Sequence, residues 1–293
     1  MEIIQALQAY ASPLLDYLVL LLTNLGSEQA YIVMLLVAFV GISPVLGQRL
    51  GIALLASFFL NQQAKAFFDT PRPFFEDASI ARSNEAIETA LGPGFPSGHA
   101  QSSTTFWGLA AFYARTLWFW ILALILIALI SLSRLYLGVH FPIDIIGGVV
   151  FGVIIAVASI VIFRELESLE KLPVWLMVAL GLFIPLGAHV FFPTADSGLI
   201  LGVLAAFIVG PLLIAYYPSR QLWKRILLTL VAIVLAFGVL TLSSLLLPEE
   251  IKRSVFGSFF RYFIFGLSGT AFVPYLGRLT GLAEQKHLSE VSL

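Results

Sequence analysis

Long apolar stretches, broken by Pro, Gly and clustered charge, run through nearly the whole chain. About nine of them are expected to be membrane-spanning helices, near residues 29–47, 49–68, 98–114, 116–136, 142–163, 173–192, 198–216, 224–247 and 255–273. Two runs inside these, Ile121–Ile130 and Val149–Ile162, contain no charged residue at all. Residues 3–25 follow a different pattern. Ile3, Ile4, Leu7, Leu14, Leu15, Leu18, Leu21 and Leu22 recur near helical spacing, with Gln5, Gln8 and Asp16 between them. That alternation suits an amphipathic helix lying at the membrane interface better than a tenth span. The expected fold class is therefore all-α, a polytopic transmembrane helical bundle of about nine spans plus an N-terminal amphipathic helix.

Composition supports the membrane assignment. Of 293 residues, 59% are hydrophobic and 11% charged, against about 25% charged in a soluble domain. A net charge of −1 argues against a polyanionic partner such as nucleic acid, and the absence of Cys excludes disulfides, thiolate metal sites and a cysteine nucleophile. The start, Met1-Glu2-Ile3-Ile4, has no basic region ahead of its apolar residues and is not expected to be a cleaved signal peptide.

Lys and Arg predict orientation, because basic loop residues favour the cytoplasmic side. With the connection near Gln48 on that side, it receives Arg49, Arg115, Arg164, Lys171, Arg220, Lys224, Arg225, Arg278 and Lys286. The opposite side keeps Arg82, Lys252 and Arg253 outside the motifs described next, with Arg261 inside a span. Gly148/Gly152 and Gly198/Gly202 have the small-xxx-small spacing of close helix packing within the chain.

Three polar islands interrupt the apolar pattern: Lys65-x₆-Arg72-Pro73, Pro96-Ser97-Gly98-His99 and Ser133-Arg134-x₅-His140-x₃-Asp144. The predicted topology brings all three to the non-cytoplasmic face, although the charge count did not require it. Basic residues are costly near lipid, so their presence there needs a functional reason. Together they suit phosphate-ester chemistry, in which fixed donors stabilise charge on nonbridging oxygens. Lys65 and Arg72 are two helical turns apart and point at one spot if the helix continues to Pro71/Pro73. Arg134 offers a planar fork. Ser97-Gly98 precedes a helix whose N-terminal N–H groups favour anions. Asp144 can fix one ring nitrogen of His140 and leave the other to attack phosphorus. His99 can protonate the leaving alkoxide and later activate water. No His/Asp/Glu set has metal-ligand spacing, so no metal or other cofactor is expected. His189, alone in an apolar stretch, reads as a hydrogen-bonded bundle residue, and His287 as part of a polar tail.

The three islands match, residue for residue, the signature of the type 2 phosphatidic acid phosphatase family, whose fold is shared with vanadium-dependent haloperoxidases. The chain therefore resembles that family over about residues 1–165. The resemblance implies His140 as nucleophile, Asp144 as its partner and His99 as general acid. It implies Lys65, Arg72, Ser97, Gly98 and Arg134 as phosphate binders. Residues 1–165 would form the lipid phosphatase core, and residues 166–293 an additional four-span membrane region with no borrowed role. The expected partners are the bilayer and a lipid phosphate or diphosphate, such as phosphatidic acid, phosphatidylglycerol phosphate, a polyprenyl diphosphate or a sphingoid phosphate. Short loops point to a bacterial plasma membrane. The rival reading is a transporter or flippase using the same cations for an anionic headgroup. Binding alone gives no need for a His–Asp pair and a second His.

Overall fold

The computed structural model describes residues 1–90, 92–168 and 172–284; Lys171, Lys286 and His287, named above, lie outside them. The described chain is almost entirely helical, as expected for an all-α membrane protein. The N-terminus departs from expectation. Instead of one amphipathic helix it forms α1 (Glu2–Gln8) and α2 (Pro13–Asn24), bent by 117°. Proline explains the break. It pushes the residue before it into extended backbone, and Ser12 sits at φ −148°, ψ 157°. The Ser12 hydroxyl then accepts from the Leu15 N–H and starts α2 afresh.

The main helices follow in order: α3 (Glu28–Ile42) and α4 (Pro44–Phe68); two short turns, α5 (Pro73–Glu76) and α6 (Asn84–Glu88); α7 (Gly98–Ala114), α8 (Leu117–Tyr136) and α9 (Pro142–Ser168). Beyond these come α10 (Val174–Phe191), α11 (Ser197–Leu213), α12 (Leu222–Leu246), a short α13 (Glu249–Arg253) and α14 (Val255–Leu279). Tyr217–Pro218 and Ala283–Glu284 form a two-residue antiparallel ladder.

Among the described residues, six helices are long and apolar enough to cross a membrane, or seven if the bent N-terminal pair counts as one. The expectation of about nine included α3, α7 and α11, which are helical but shorter. The 17 residues of α7 or α11 rise only about 25 Å against a hydrocarbon core of about 30 Å. In α7 the apolar pattern is also interrupted by five consecutive buried polar residues, Gln101 to Thr105.

The chain forms two compact units: residues 1–31 with 57–165, and residues 32–56 with the chain from 166 onward. α4 contributes to both. In the first unit, α7 packs against α8, and α9 lies against α7 through Gly148 and Gly152. A Cβ at Gly148 would meet the Ser97 carbonyl at 2.6 Å, and one at Gly152 would meet Thr104 Cβ at 2.6 Å. The opposite face of α9 leaves Ile143, Ile146, Val150, Val153, Ile154 and Val157 exposed, at the spacing of a lipid-facing stripe. α1 and α2 rest on α8 and the loop before α7. Leu7, Leu15, Val19 and Leu20 pack onto Ala86, Ala90, Tyr136, Leu137 and Val139. Asp16 accepts two hydrogen bonds from Arg82, at 3.1 and 2.9 Å, and a third from the Tyr136 hydroxyl at 2.6 Å.

In the second unit α10, α11 and α14 pack together. A Cβ at Gly198 would meet Ser258 Oγ, and one at Gly202 the Phe259 carbonyl. His189 is buried there, with Nδ1 2.9 Å from Ser197 Oγ and Nε2 3.0 Å from the Val255 carbonyl. It is a hydrogen-bonded bundle residue, as its sequence context suggested.

Candidate active site

The first unit holds every residue of the three polar islands. Lys65 lies in the last turns of α4, whose helix ends at Phe68 because Asp69 takes a left-handed conformation (φ 42°) ahead of Pro71 and Pro73. The expected helical register between Lys65 and Arg72 is therefore absent. Arg72 stands outside the helix, in extended backbone at φ −102°, ψ 159°. The two cations nevertheless converge by chain reversal. Lys65 Nζ and Arg72 Nη2 both donate to the Pro93 carbonyl, at 2.5 and 3.0 Å.

Arg72 is buried and reaches the centre of the site. Its Nε donates to the Gly92 carbonyl at 2.7 Å, and its Nη1 lies 2.9 Å from the Val139 carbonyl and 3.0 Å from His140 Nε2. His140 sits in the turn between α8 and α9, and its Nδ1 is 3.2 Å from Asp144 Oδ2. The same Oδ2 accepts from the Phe141 N–H at 2.9 Å, so the first turn of α9 fixes the carboxylate. These contacts assign the tautomer. Nδ1 carries the hydrogen toward Asp144, and Nε2 accepts from Arg72. Burial, then the positive charges of Arg72, Arg134 and Lys65, hold the His140 pKa well below the ordinary imidazole value of 6.5. Its ring is neutral at neutral pH.

The Pro96–His99 island is attached to the same carboxylate residue from the other side. The Ser97 N–H donates to the Asp144 carbonyl at 2.9 Å. Ser97 occupies the N-cap position of α7, yet its hydroxyl makes no cap bond. It is fully buried and has no hydrogen-bond partner among the described residues. Gly98 fits closely beside Asn61, whose Oδ1 would lie 3.2 Å from a Cβ there. His99 is half-buried in the first turn of α7. Its positive form would act electrostatically on His140.

Arg134, in the last turn of α8, is fully buried. Its Nη1 donates to Thr23 Oγ1 at 2.9 Å and Thr89 Oγ1 at 3.1 Å, and Nη2 to the Thr89 carbonyl at 3.2 Å. Its Nε has no hydrogen-bond partner among the described residues. An unpaired buried polar group costs about 1–3 kcal/mol, more when charged. Ser97 Oγ and Arg134 Nε are thus two donors suited to an incoming anion. Among the described residues no three His, Asp or Glu side chains group as a metal site.

Sequence reading overlooked the supporting residues. Asn61 Nδ2 donates to Gln101 Oε1 at 2.8 Å, and Gln101 Nε2 to the Ser57 carbonyl at 2.8 Å. Thr70 Oγ1 accepts from the Phe95 N–H at 2.8 Å. Asn61 and Gln101 are visible as amides inside apolar segments, a signal that was available. Thr70 and Thr89 are ordinary loop residues and gave none.

The PAP2 superfamily model matches residues 46–168, and the model for the PAP2 superfamily phosphatase transmembrane extension matches residues 194–285. The chain is 31% identical over 136 residues to the putative undecaprenyl-diphosphatase YbjG of Escherichia coli (strain K12), covering 46% of this chain and 66% of that protein. It is 31% identical over 153 residues to sphingosine-1-phosphate phosphatase 2 of Mus musculus, covering 50% and 42%. To the undecaprenyl-diphosphatase of Sulfolobus acidocaldarius it is 30% identical over 134 residues, covering 42% and 63%. The chain thus spans between 42% and 66% of the length of these relatives. No solved structure matches significantly.

Proposed function

The chain belongs to the PAP2 superfamily, and from that premise we propose that it is a membrane-embedded phosphatase that hydrolyses lipid phosphate or diphosphate esters through a phosphohistidine. One observation carries the reading. A neutral, carboxylate-oriented imidazole lies among buried cations, with two unpaired donors, Ser97 Oγ and Arg134 Nε, in the same unit.

In the proposed reaction Lys65, Arg72, Arg134, Ser97 and the N-terminal turn at Gly98 hold the nonbridging oxygens. The substrate phosphate takes over the bond that Arg72 makes to His140 Nε2. That nitrogen then attacks phosphorus, and the bond from phosphorus to the lipid oxygen breaks. Once the bound phosphate dianion offsets the neighbouring cations, His99 holds a proton and gives it to the departing oxygen, releasing a lipid alcohol, or a lipid monophosphate from a diphosphate. Neutral His99 next takes a proton from water, whose oxygen attacks phosphorus as the N–P bond breaks. Inorganic phosphate leaves and both rings return to their starting forms. Asp144 stabilises the cationic ring that His140 becomes while Nε2 carries the phosphoryl group.

The substrate class is read from two features. Relatives are named for activity on undecaprenyl diphosphate and sphingosine 1-phosphate, and Phe67 and Phe75 next to the site are 81% and 72% exposed, as suits contact with a lipid chain. We place the reaction at the non-cytoplasmic leaflet, from the Lys/Arg distribution, and assign the chain to a bacterial plasma membrane. With the shorter α3, α7 and α11 counted beside the six long helices, the proposed bundle has about nine spans; residues 1–165 act as the catalytic core, and residues 166–293 form an added membrane region.

The test is phosphate release by purified protein in detergent. A panel would contain phosphatidic acid, phosphatidylglycerol phosphate, sphingosine 1-phosphate and undecaprenyl diphosphate, each with and without EDTA. Release from at least one lipid, unchanged by EDTA, is expected. No release from any, together with headgroup-dependent lipid movement in vesicles, would replace this reading with the transporter. Loss of activity in EDTA would overturn the metal-free mechanism.

A further inference from the structure

The N-terminal helices precede the region matched by the superfamily model, which begins at residue 46, yet they reach into the site. α2 exposes Leu14, Tyr17, Leu18 and Leu21, and its single buried residue is a polar one, Thr23. A lone threonine after a leucine run, fully buried, needs a bonding reason. Its Oγ1 accepts from Arg134 Nη1 at 2.9 Å. Two residues past the helix end, Gly26 passes so close to the site that a Cβ there would meet His99 Cδ2 at 3.0 Å and Ile130 Cγ2 at 2.9 Å. The chain between Thr23 and Gly26 is therefore a wall against both Arg134 and His99.

Bond counting on Arg134 shows what Thr23 does. Of the five N–H donors of a guanidinium, three are taken, by Thr23 Oγ1, Thr89 Oγ1 and the Thr89 carbonyl. Nη1 is saturated. The Nε–H and the remaining Nη2–H lie on one edge of the planar group, the edge that grips an oxyanion with two parallel bonds. We propose that Thr23 is a positioning residue for phosphate recognition: with Thr89 it anchors Nη1 and so turns the Nε/Nη2 edge of Arg134 toward the substrate. This rests on the phosphatase reading of the site and adds to it a residue from outside the matched region. The docking of α2 supports the assignment, since Asp16 is bonded to Arg82 and Tyr136, and Gln8 to the Ile80 and Tyr136 carbonyls.

The test uses the whole protein in detergent with orthovanadate and inorganic phosphate as probes. Thr23→Val keeps the shape and removes the acceptor. Losing a hydrogen bond to a buried charge is expected to weaken the binding of both anions about tenfold or more, measured by calorimetric titration. KM for a soluble phosphate monoester should rise in parallel, with a smaller change in kcat. Thr23→Ser restores the oxygen and should bind within about twofold of the unaltered protein. A purely structural role would instead lower the folded fraction and kcat, leaving the anion affinity of the folded molecules unchanged. Thr23→Ala serves if the valine variant does not fold, with the same expected loss. Unchanged anion affinity in a folded Thr23→Val or Thr23→Ala variant overturns the proposal. Absence of anion binding and phosphate release in the unaltered protein would instead overturn the phosphatase reading, so the two failures are distinguishable.

Discussion

At the residue scale, the His140–Asp144 pair is the feature most directly open to experiment. His140→Ala should abolish phosphate release in the fraction that folds, which circular dichroism in the same detergent measures, because the variant removes a buried ring held between Asp144 and Arg72. Acid-labile, base-stable label from radioactive substrate should appear on the native chain and vanish in this variant. Label that persisted would remove His140 from the nucleophile role. A second outcome follows from charge. Burial and neighbouring cations disfavour the protonated ring, so His140 should stay neutral as pH falls through 6.5, where an ordinary imidazole takes up its proton. The sign for stability follows. The unfolded chain gains that proton near 6.5 and the folded one only at lower pH, so this group removes stability as pH drops below 6.5. Ring NMR on a chain with four histidines can check it, with Arg72→Gln expected to move the midpoint upward. A midpoint at or above 6.5 in the ligand-free protein would contradict the account.

At the element scale, the site depends on how closely helices approach. Gly152 lets α9 approach α7 so that the Ser97 turn and Asp144 meet. Gly152→Val should force the pair apart, costing about 1–3 kcal/mol by overpacking and lowering phosphate release with it. Gly108, on the same helix α7, has open space where a Cβ would go. Gly108→Ala should therefore leave stability unchanged or raise it by about 0.4–1 kcal/mol. Thermal unfolding of both variants in one detergent is the comparison; equal effects would mean that the glycine contact is not what limits packing. The islands at Ser97 and His140 were legible because catalytic residue types cluster at fixed spacing within a few residues. The Lys65–Arg72 register was not, because it assumed a helix that Asp69 and two prolines end at Phe68.

At the scale of the whole molecule, the sorting of Lys and Arg predicts sidedness, and the absence of native Cys makes it testable. In right-side-out vesicles, a membrane-impermeant thiol reagent should label Cys at Asn84, exposed in the loop before α7, and spare Cys at Ala114, exposed at the far end of α7. The reverse pattern would move the reaction to the cytoplasmic leaflet. Hydropathy and island spacing, each set by residues near one another in the chain, determined by themselves that this is a helical membrane protein carrying three polar islands of the PAP2 superfamily kind. Tertiary structure alone decided that the N-terminal segment is two helices folded onto the site, that Lys65 and Arg72 meet at the Pro93 carbonyl, and that Thr23 and Thr89 hold Arg134. The last of these joins residues 111 and 45 positions apart. No local pattern encodes such a pairing, because a lone threonine carries the same side chain at a lipid interface as against a buried guanidinium, and only packing selects between them.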